Sequence, residues 1–198
     1  MDYGGVISEP QNFGNVNNIL QILRQNDNNF KAIYQAKREN YDSGQISGQA
    51  YWASILQHYG LEQDSSKITR LIHEDVKSWT HINDSMMRFI QESRPKIYRL
   101  AIISNMTRDT LAFMRTNFQW LELFDELIFS CDFGINKPDT RIYEACLGRL
   151  QLPANECLFV DDSAENLAGA IQSGMNAIHF KSFPEFLPEV DRNFGLSQ

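Results

Sequence analysis

The spacing of the apolar residues changes near Pro95. Before that point, apolar positions recur three or four residues apart, which is typical of amphipathic helices. The stripes that define these helices are Ile19–Leu23, Phe30–Lys37, Tyr51–Tyr59, Ile68–Val76 and Met86–Ile90. No alternating strand pattern interrupts them, so residues 15–92 are predicted to form an all-helical block. We interpret its aromatic and Met positions as packing core rather than as a cofactor site.

Beyond Pro95, short β-rich runs alternate with helical patterns. Strands are predicted at Tyr98–Ile103, Leu127–Ser130, Cys157–Val160 and Asn176–Phe180. Helices are predicted through Leu111–Phe118, from Asp139 and from Asn166, with a loop at Cys131–Pro138 and an irregular or short helical tail after Phe183. This alternation predicts an α/β fold with a doubly wound parallel sheet. The predicted α/β core comprises residues 1–14 and 93–198, with the helical block 15–92 inserted.

Charge and cysteine content narrow the classes of function. The net charge is −7 and the pI is near 5.1, without a run of Lys or Arg, which argues against a nucleic-acid surface. The three cysteines form no CxxC pair, and Cys157 lies in an apolar run, so a reducing compartment is favoured. No apolar run has membrane-spanning length and no signal-peptide pattern is present. We therefore predict a cytoplasmic protein with neither nucleic acid nor membrane as a partner; the oligomeric state stays open.

Two adjacent acids, Asp161 and Asp162, directly follow the run Cys157–Val160. Open α/β sheets bind ligands at the carboxyl ends of their strands. A single Asp before a helix is explained by N-capping. Two neighbouring carboxylates, however, repel each other unless a cation or hydrogen-bond donors share the site. We therefore favour a site for a hard metal ion over a helix cap.

Other polar residues fall at equivalent places in the chain. Asp2 is followed by two glycines, Ser104 ends a predicted strand, and Lys137 lies in a predicted loop after a strand. Each has an ordinary explanation on its own: Asp2 could belong to a flexible N-terminus, Ser104 could be a turn residue and Lys137 a solvated loop charge. Together with the acid pair they would supply a carboxylate nucleophile, a hydroxyl donor and a cation at one edge of the sheet. That set of groups suits phosphoryl transfer.

These residues carry a resemblance to the haloacid dehalogenase-like hydrolase superfamily over nearly the whole chain. The four segments that match its ordered motifs are Asp2–Val6, Ser104–Asn105, Lys137–Asp139 with Ile142–Tyr143, and Asp161–Asn166. The helical block corresponds to the cap domain that a subfamily inserts after the first motif. Gly44–Ser47 and Trp79 resemble caps of the group that includes sugar-phosphate phosphatases and the phosphatase domain of epoxide hydrolase.

The resemblance implies a Mg²⁺ site. In the family the first aspartate attacks phosphorus, forming an aspartyl-phosphate that water then hydrolyses. Asp2 matches that aspartate. The implied metal ligands are Asp2, the backbone carbonyl of Gly4, and Asp162, with Asp161 beside it. Mg²⁺ prefers such oxygen ligands and keeps several waters.

The resemblance also implies a phosphate-binding set. Ser104 would donate a hydrogen bond to a phosphate oxygen, helped by the backbone N–H of Asn105. Lys137 would neutralise the nucleophile and the charge that develops on the phosphoryl group. Asn166, one helical turn beyond Asp162, would orient Lys137 or the acid pair.

The chain departs from the family pattern at two places. Family phosphatases usually carry a general acid two residues after the nucleophile, where this chain has Gly4. A leaving group that needs little protonation, such as that of an anomeric sugar phosphate, an acyl phosphate or a diphosphate, would suffer least. The family's nucleophile also follows a central apolar strand, whereas only Met1 precedes Asp2 here. We therefore expect a trench in the sheet and a mobile nucleophile loop, and an apolar N-terminal extension is expected to raise stability and activity.

Three functions remain open. The first is a Mg²⁺-dependent phosphatase acting on a small phosphorylated metabolite. The second is 2-haloacid dehalogenation through Asp2, against which the acid pair Asp161–Asp162 counts, because that chemistry needs no metal. The third is a catalytically impaired protein with a binding or regulatory role, which Gly4 favours.

Overall fold

The first part of the chain is helical, as predicted. The structure is a computed structural model that describes residues 1–25 and 29–195. Its first helices are α1 (Phe13–Leu23), α2 (Phe30–Ala36), α3 (Arg38–Asp42), α4 (Gly48–His58), α5 (Ser65–Ser78) and α6 (Asp84–Ser93). Side chains of Asn12, Ser47, Asp64 and Asn83 accept hydrogen bonds from backbone N–H groups in the first turns of α1, α4, α5 and α6, which explains where these helices begin.

Helices α1 to α5, called the helical block from here on, share one hydrophobic cluster. Its largest buried members include Tyr34, Tyr51, Trp52 and Leu56. Helix α6 packs elsewhere: Met86 and Ile90 lie in a cluster with residues of the α/β part such as Ile102. Since a domain has its own core, we propose that the boundary of the helical block lies before α6 rather than at residue 92.

The second part of the chain alternates strands with helices. The elements are β1 (Ala101–Ser104), α7 (Arg108–Asn117), β2 (Glu126–Phe129), α8 (Ser130–Phe133), α9 (Thr140–Leu150), β3 (Leu158–Asp161), α10 (Ala164–Gln172), β4 (Asn176–His179) and α11 (Phe183–Phe194). Short 3₁₀ turns occupy Arg94–Lys96, Gln119–Leu123 and Ala154–Glu156. The prediction of a loop at 131–138 is wrong at its start, because α8 extends to Phe133. The tail forms a helix of 12 residues.

The strands pair in parallel, which confirms the predicted α/β class. Strand β1 pairs with β2, and β3 pairs with β4. Between the two pairs lie the first residues of the chain. The Met1 amine donates to the Ala101 carbonyl (2.8 Å), the Ile103 amide donates to the Met1 carbonyl (3.1 Å), and the Asp2 amide donates to the Val160 carbonyl (2.8 Å). Met1 and Asp2 therefore bridge the two halves of the sheet at its carboxyl end.

Next to Met1 the two halves of the sheet are separated by a groove. This cavity of about 290 Å³ is bordered by Leu100 and Ala101 on one side and by Leu158 and Val160 on the other, with Phe186 of α11 among its lining residues. The trench expected from the sequence is therefore present.

Within the described ranges, the helices are all too short or too polar to cross a membrane.

Candidate active site

Five predicted site residues meet at the carboxyl edge of the sheet. Ser104 ends β1, Asp161 ends β3, and Asp2 lies between these strands. Lys137 comes from the segment between α8 and α9. These four side chains are buried, whereas Asp162, which follows β3, is exposed. Parallel strand order thus brings residues from four parts of the chain to one place.

The first loop, residues 2–8, makes a tight turn at this edge. The Asp2 Oδ1 atom accepts a hydrogen bond from the Tyr3 amide (2.7 Å), and the Ser8 amide donates to the Tyr3 carbonyl (2.8 Å). Gly5 has φ +72°, and a Cβ placed on it would lie 2.4 Å from Asp162 Oδ2. Only glycine satisfies both constraints. The backbone of this loop therefore packs directly against the carboxylate of Asp162.

Lys137 connects two of the carboxylates. Its Nζ lies 2.8 Å from Asp2 Oδ1 and 2.6 Å from Asp161 Oδ2. Burial alone would lower the pKa of Lys137, but the two carboxylates outweigh burial and raise it, so the ammonium stays charged. The backbone of Lys137 is fixed by the Asn105 side chain, whose Nδ2 donates to the Lys137 carbonyl (3.0 Å) and whose Oδ1 accepts from the Lys137 amide (2.7 Å).

Asp161 has most of its acceptor capacity filled. Besides Lys137, it accepts hydrogen bonds from Asn166 Nδ2, at 3.1 and 3.2 Å, and from the Ser163 amide, at 2.8 Å. Asp162, in contrast, extends toward solvent beside the first loop. The two adjacent acids therefore have different surroundings: Asp161 is held in a hydrogen-bond network, and Asp162 is accessible.

Three carboxylates converge with one lysine. Oxygen atoms of Asp2, Asp161 and Asp162 lie within 4.8 Å of one another. Partial desolvation beside the first loop, followed by the charges of Asp2 and Asp161, raises the pKa of Asp162 to about 6. Burial also raises the pKa of Asp2. The charge of Lys137 and a hydrogen bond from Ser104 act in the opposite direction without cancelling this rise. Since one ammonium does not balance three carboxylates, the donor set fits a hard divalent cation.

A cavity of about 670 Å³ leads from these acids into the helical block. Its lining from the block includes Val16 of α1, Phe30 and Tyr34 of α2, and Arg38 and Asp42 of α3. None of these residues was predicted from the sequence to belong to the site. Phe30 and Tyr34 follow the i, i+4 spacing of one face of α2, but the spacing alone does not indicate whether that face meets the core or a cavity.

The structure thus combines a parallel α/β sheet with a cluster of three acids and one lysine at the carboxyl ends of its strands. Residues 8–174 match the haloacid dehalogenase-like hydrolases, and the chain belongs to that family. The matched range begins after Asp2, so it covers Ser104, Lys137 and both acids of the pair but not the first loop's aspartate.

Curated relatives include several kinds of enzyme. Bifunctional epoxide hydrolase 2 of Rattus norvegicus is 28% identical over 78% of this chain and 27% of that protein, so the chain spans about a quarter of its length. A sesquiterpene phosphatase of Aspergillus oryzae is 38% identical over 32% of each chain. (S)-2-haloacid dehalogenase 4A of Burkholderia cepacia is 33% identical over 41% of this chain and 35% of that one.

Solved structures agree on the fold. The family enzyme bt-2542 of Bacteroides thetaiotaomicron, solved as a complex with magnesium and inorganic phosphate, superposes with a TM-score of 0.76. The match covers 95% of this chain and 96% of that one at 18% identity. It therefore confirms the predicted architecture over nearly the whole chain.

Proposed function

We propose that the protein is a Mg²⁺-dependent phosphatase acting on a small phosphorylated metabolite through an aspartyl-phosphate intermediate. The observation that carries this proposal is the position of Lys137 Nζ, which contacts both Asp2 and Asp161. Oxygen atoms of these two carboxylates and of Asp162 lie within 4.8 Å of one another. A nucleophilic carboxylate, a buried cation next to it and a metal-binding acid cluster are the parts that this chemistry needs.

Asp2 is the proposed nucleophile. Its carboxylate forms a bond to phosphorus as the ester oxygen leaves with its electron pair; water then attacks the phosphorus and releases inorganic phosphate and the free carboxylate. Lys137 lies against Asp2 Oδ1 and stabilises negative charge on the carboxylate and on the transferring group. Ser104 and the backbone N–H of Asn105 are proposed phosphate donors, and both residues line the cavity.

The residues proposed to hold Mg²⁺ are Asp2, the backbone carbonyl of Gly4, and Asp162, with Asp161 beside them. When bound, Mg²⁺ lets an anionic nucleophile approach an anionic ester. Asp161 already binds Lys137 and Asn166, so we assign it mainly to positioning the lysine. Asn166 in turn holds Asp161, which is one of the two roles predicted for it.

The relatives support hydrolysis, but one is named as a phosphatase and another as a haloacid dehalogenase. The neighbour with magnesium and phosphate and the relative named as a phosphatase favour phosphoryl transfer. The haloacid dehalogenase relative keeps attack on carbon as the second candidate. The accessible Asp162 next to Asp2 favours the first, because dehalogenation needs no metal.

We also propose that the helical block acts as a cap. Its residues Val16, Phe30 and Tyr34 line the same cavity as Asp2 and Lys137, so substrate specificity would reside there.

The three cysteines are free and buried, which supports the prediction of a reducing, cytoplasmic setting.

Phosphate release from a panel of phosphate esters tests the proposal, with and without Mg²⁺. Asp2→Asn is expected to abolish turnover, because the neutral amide is a poor nucleophile. Asp84→Asn is the matched control, since Asp84 is exposed on α6. Equal turnover by the wild type and Asp2→Asn would reject Asp2 as nucleophile. Halide release from a 2-haloacid without Mg²⁺, in the absence of phosphate release, would favour the dehalogenase. If the protein shows neither phosphate release nor halide release, the binding or regulatory role is favoured.

A further inference from the structure

We propose that the substrate carries an extended apolar group, and that the wall formed by Val16, Phe30 and Trp79 binds it. This inference rests on the proposed phosphatase function and names the substrate class of the same site. The cavity of about 670 Å³ has the size of sites for drug-like ligands and is far larger than one phosphoryl group needs. The part of the substrate beyond the phosphate must therefore account for most of the binding surface.

The apolar side chains of the cavity come from three regions. Val16 and Phe30 belong to the helical block, Trp79 follows α5, and Tyr3, Pro10 and Met106 line the cavity from the α/β side. Val16 and Trp79 are half-buried, as expected of groups that a ligand would cover further. Burying such surface favours binding of an apolar ligand in proportion to the area removed from water.

The polar side chains on the inner wall are already engaged within the protein. The hydroxyl of Tyr34 donates to Asp75 Oδ1 (2.6 Å) and accepts hydrogen bonds from Gln11 Nε2 (3.2 Å), Trp79 Nε1 (3.3 Å) and Arg38. A hydroxyl has one donor and two acceptor positions, so these three donors already compete for two acceptor positions. It therefore has no capacity left for a substrate hydroxyl.

Arg38 is similarly engaged, although it lines the cavity. Its Nε lies 2.8 Å from Asp42 Oδ1, and its Nη1 lies 2.8 Å from Asp75 Oδ2. The guanidinium carbon also stands 4.9 Å from the centre of the Tyr34 ring and 5.1 Å from that of Tyr41. Two carboxylates balance this cation, so we do not expect it to bind the phosphate.

Several other inner polar groups are also engaged within the protein; Gln11 Nε2, for example, donates to Ser78 Oγ (3.1 Å) as well as to Tyr34. Thr107 Oγ1 donates to Thr110 Oγ1 (2.9 Å) and accepts from the Thr110 amide (3.1 Å). The Asn105 side chain holds the backbone of Lys137. Lys31 and Gln35 also line the cavity, but both are exposed to solvent.

This arrangement selects against a polyhydroxylated substrate. A sugar in the cavity would give up hydrogen bonds to water for its hydroxyl groups and find few partners on the wall, which weakens binding. An alkyl, prenyl or aromatic group loses no such bonds. The sequence resemblance to sugar-phosphate phosphatases is therefore not expected to extend to the substrate.

The experiment compares n-alkyl phosphates from ethyl to octyl with a hexose phosphate, below micelle-forming concentrations and with Mg²⁺. We expect kcat/KM to rise with chain length by up to about fourfold per methylene, and the hexose phosphate to fall at least about 100-fold below octyl phosphate. Val16→Ala should flatten the rise. Ile22→Val truncates another half-buried side chain of α1 outside the cavity lining and should preserve it. A hexose phosphate turned over as well as octyl phosphate would overturn the inference.

Binding of n-alkylphosphonates, measured by calorimetry, separates this inference from the proposed function. If no ester releases phosphate, including an aryl phosphate whose leaving group needs no proton, the phosphatase proposal fails; phosphonate affinity that still rises with chain length would then support the apolar wall. If esters are hydrolysed but neither kcat/KM nor phosphonate affinity depends on chain length, the phosphatase proposal stands and the apolar wall is refuted. Thermal melts of Val16→Ala and Ile22→Val show whether both variants remain folded.

Discussion

Gly4 and Gly5 are neighbours in the first loop, but only one of them is required by its surroundings. Gly5 has φ +72° and approaches Asp162 too closely for a side chain. Gly4 has φ −66° and ψ 128°, which any residue adopts, and a Cβ on it would meet Trp79 Cζ3 at 3.6 Å, an ordinary van der Waals distance. The loop can therefore accept a side chain at position 4, two residues after the proposed nucleophile.

We expect Gly4→Asp to increase phosphatase activity on alkyl phosphates. The new carboxyl would protonate the departing alkoxide, and such assistance is worth about 10²–10⁴-fold at most. An aryl phosphate with an acidic phenol should gain little, because its leaving group needs no proton. Steady-state kinetics with both ester types check the prediction, with Gly4→Asn as the control of equal size. An equal gain from Asn, or equal gains for both esters, would contradict it.

At the residue scale, the site residues that could be predicted from the sequence are polar or charged side chains next to apolar runs or glycines. Ser104 and the acid pair stand out because they end apolar runs, Lys137 because it lies in a loop after one, and Asp2 because two glycines follow it. The side-chain role of Asn105 could not be predicted, because its partner Lys137 lies 32 positions away. The engagement of Tyr34 and Arg38 with Asp75 depends on how α2, α3 and α5 pack together, which residue spacing does not specify.

At the element scale, the sequence predicted long apolar stripes best. Helices α1, α2, α4, α5 and α6 all correspond to predicted stripes. Helix α3 was missed because it has five residues, of which only Tyr41 is buried and apolar. The predicted first strand began too early: β1 starts at Ala101, and Tyr98 is 77% exposed.

The start of β1 is held by Asp125, which precedes β2. Its carboxylate accepts from the Leu100 amide (2.7 Å) and from Arg94 Nη2 (3.1 and 3.0 Å). Burial would raise the pKa of Asp125, but the Leu100 hydrogen bond and the charges of Arg94 and Arg99 outweigh it, so the pKa is lowered. The folded-state pKa of Asp125 lies below its unfolded value. The ionised carboxylate therefore contributes fully to the free energy of unfolding above the unfolded pKa, and this stabilisation is lost as the pH falls through the folded-state pKa.

Asp125→Asn should therefore lower the free energy of unfolding by about 1–3 kcal/mol at neutral pH. The difference from wild type should shrink as the pH falls below 4, where the wild type also protonates the carboxyl. Urea titrations at several pH values measure both effects. Asp132→Asn is the control, because its pair with Arg115 is more exposed and such pairs contribute about 0–1 kcal/mol. A loss that is independent of pH would exclude the ionised carboxylate as its source.

The groove beside Met1 leads to a second prediction at this scale. Backbone groups alternate in direction along a parallel strand. Val160 accepts from Asp2 on the groove side, so Leu158, two residues earlier on β3, also directs its amide and carbonyl toward the groove. An apolar, β-branched extension of five residues before Met1 should fill this space, pair these groups and raise the melting temperature, by about 2–4 °C for each kcal/mol gained. A Gly/Ser extension of the same length is the control.

Activity should rise together with stability in the extended protein, because Asp2 follows directly on the filled groove. Thermal melts and phosphate release, measured on the same preparations, test this coupling. Equal effects of the apolar and Gly/Ser extensions would show that chain length, not groove filling, was responsible. No change in either quantity would contradict the prediction.

At the scale of the whole molecule, the helical block and the α/β part have separate hydrophobic clusters but share the site. Polar contacts connect the two parts: Tyr41 Oη to Asp109 (2.8 Å), Ser130 Oγ to the Asp42 carbonyl (2.6 Å) and Asn136 Nδ2 to the Glu39 carbonyl (2.8 Å). The carboxylates come from the α/β part alone, whereas much of the cavity wall comes from the block. Cation binding should therefore depend on the α/β part, and substrate choice on the block.

The charge balance of the acid cluster predicts opposite effects of Asp162→Asn with and without a divalent cation. In metal-free buffer the substitution removes one of three mutually repelling carboxylates, so the melting temperature should rise. With Mg²⁺ and beryllofluoride the wild type should gain stability by mass action, about 2.7 kcal/mol at a ligand concentration of 100 Kd. The variant should gain much less, and the order of the two melting temperatures should reverse. Glu165→Gln, an exposed acid in the first turn of α10, is the control and should shift as the wild type does. An unchanged Mg²⁺ response in Asp162→Asn would show that the cation, if bound, does not use this carboxylate, and the proposed ligand set would be wrong.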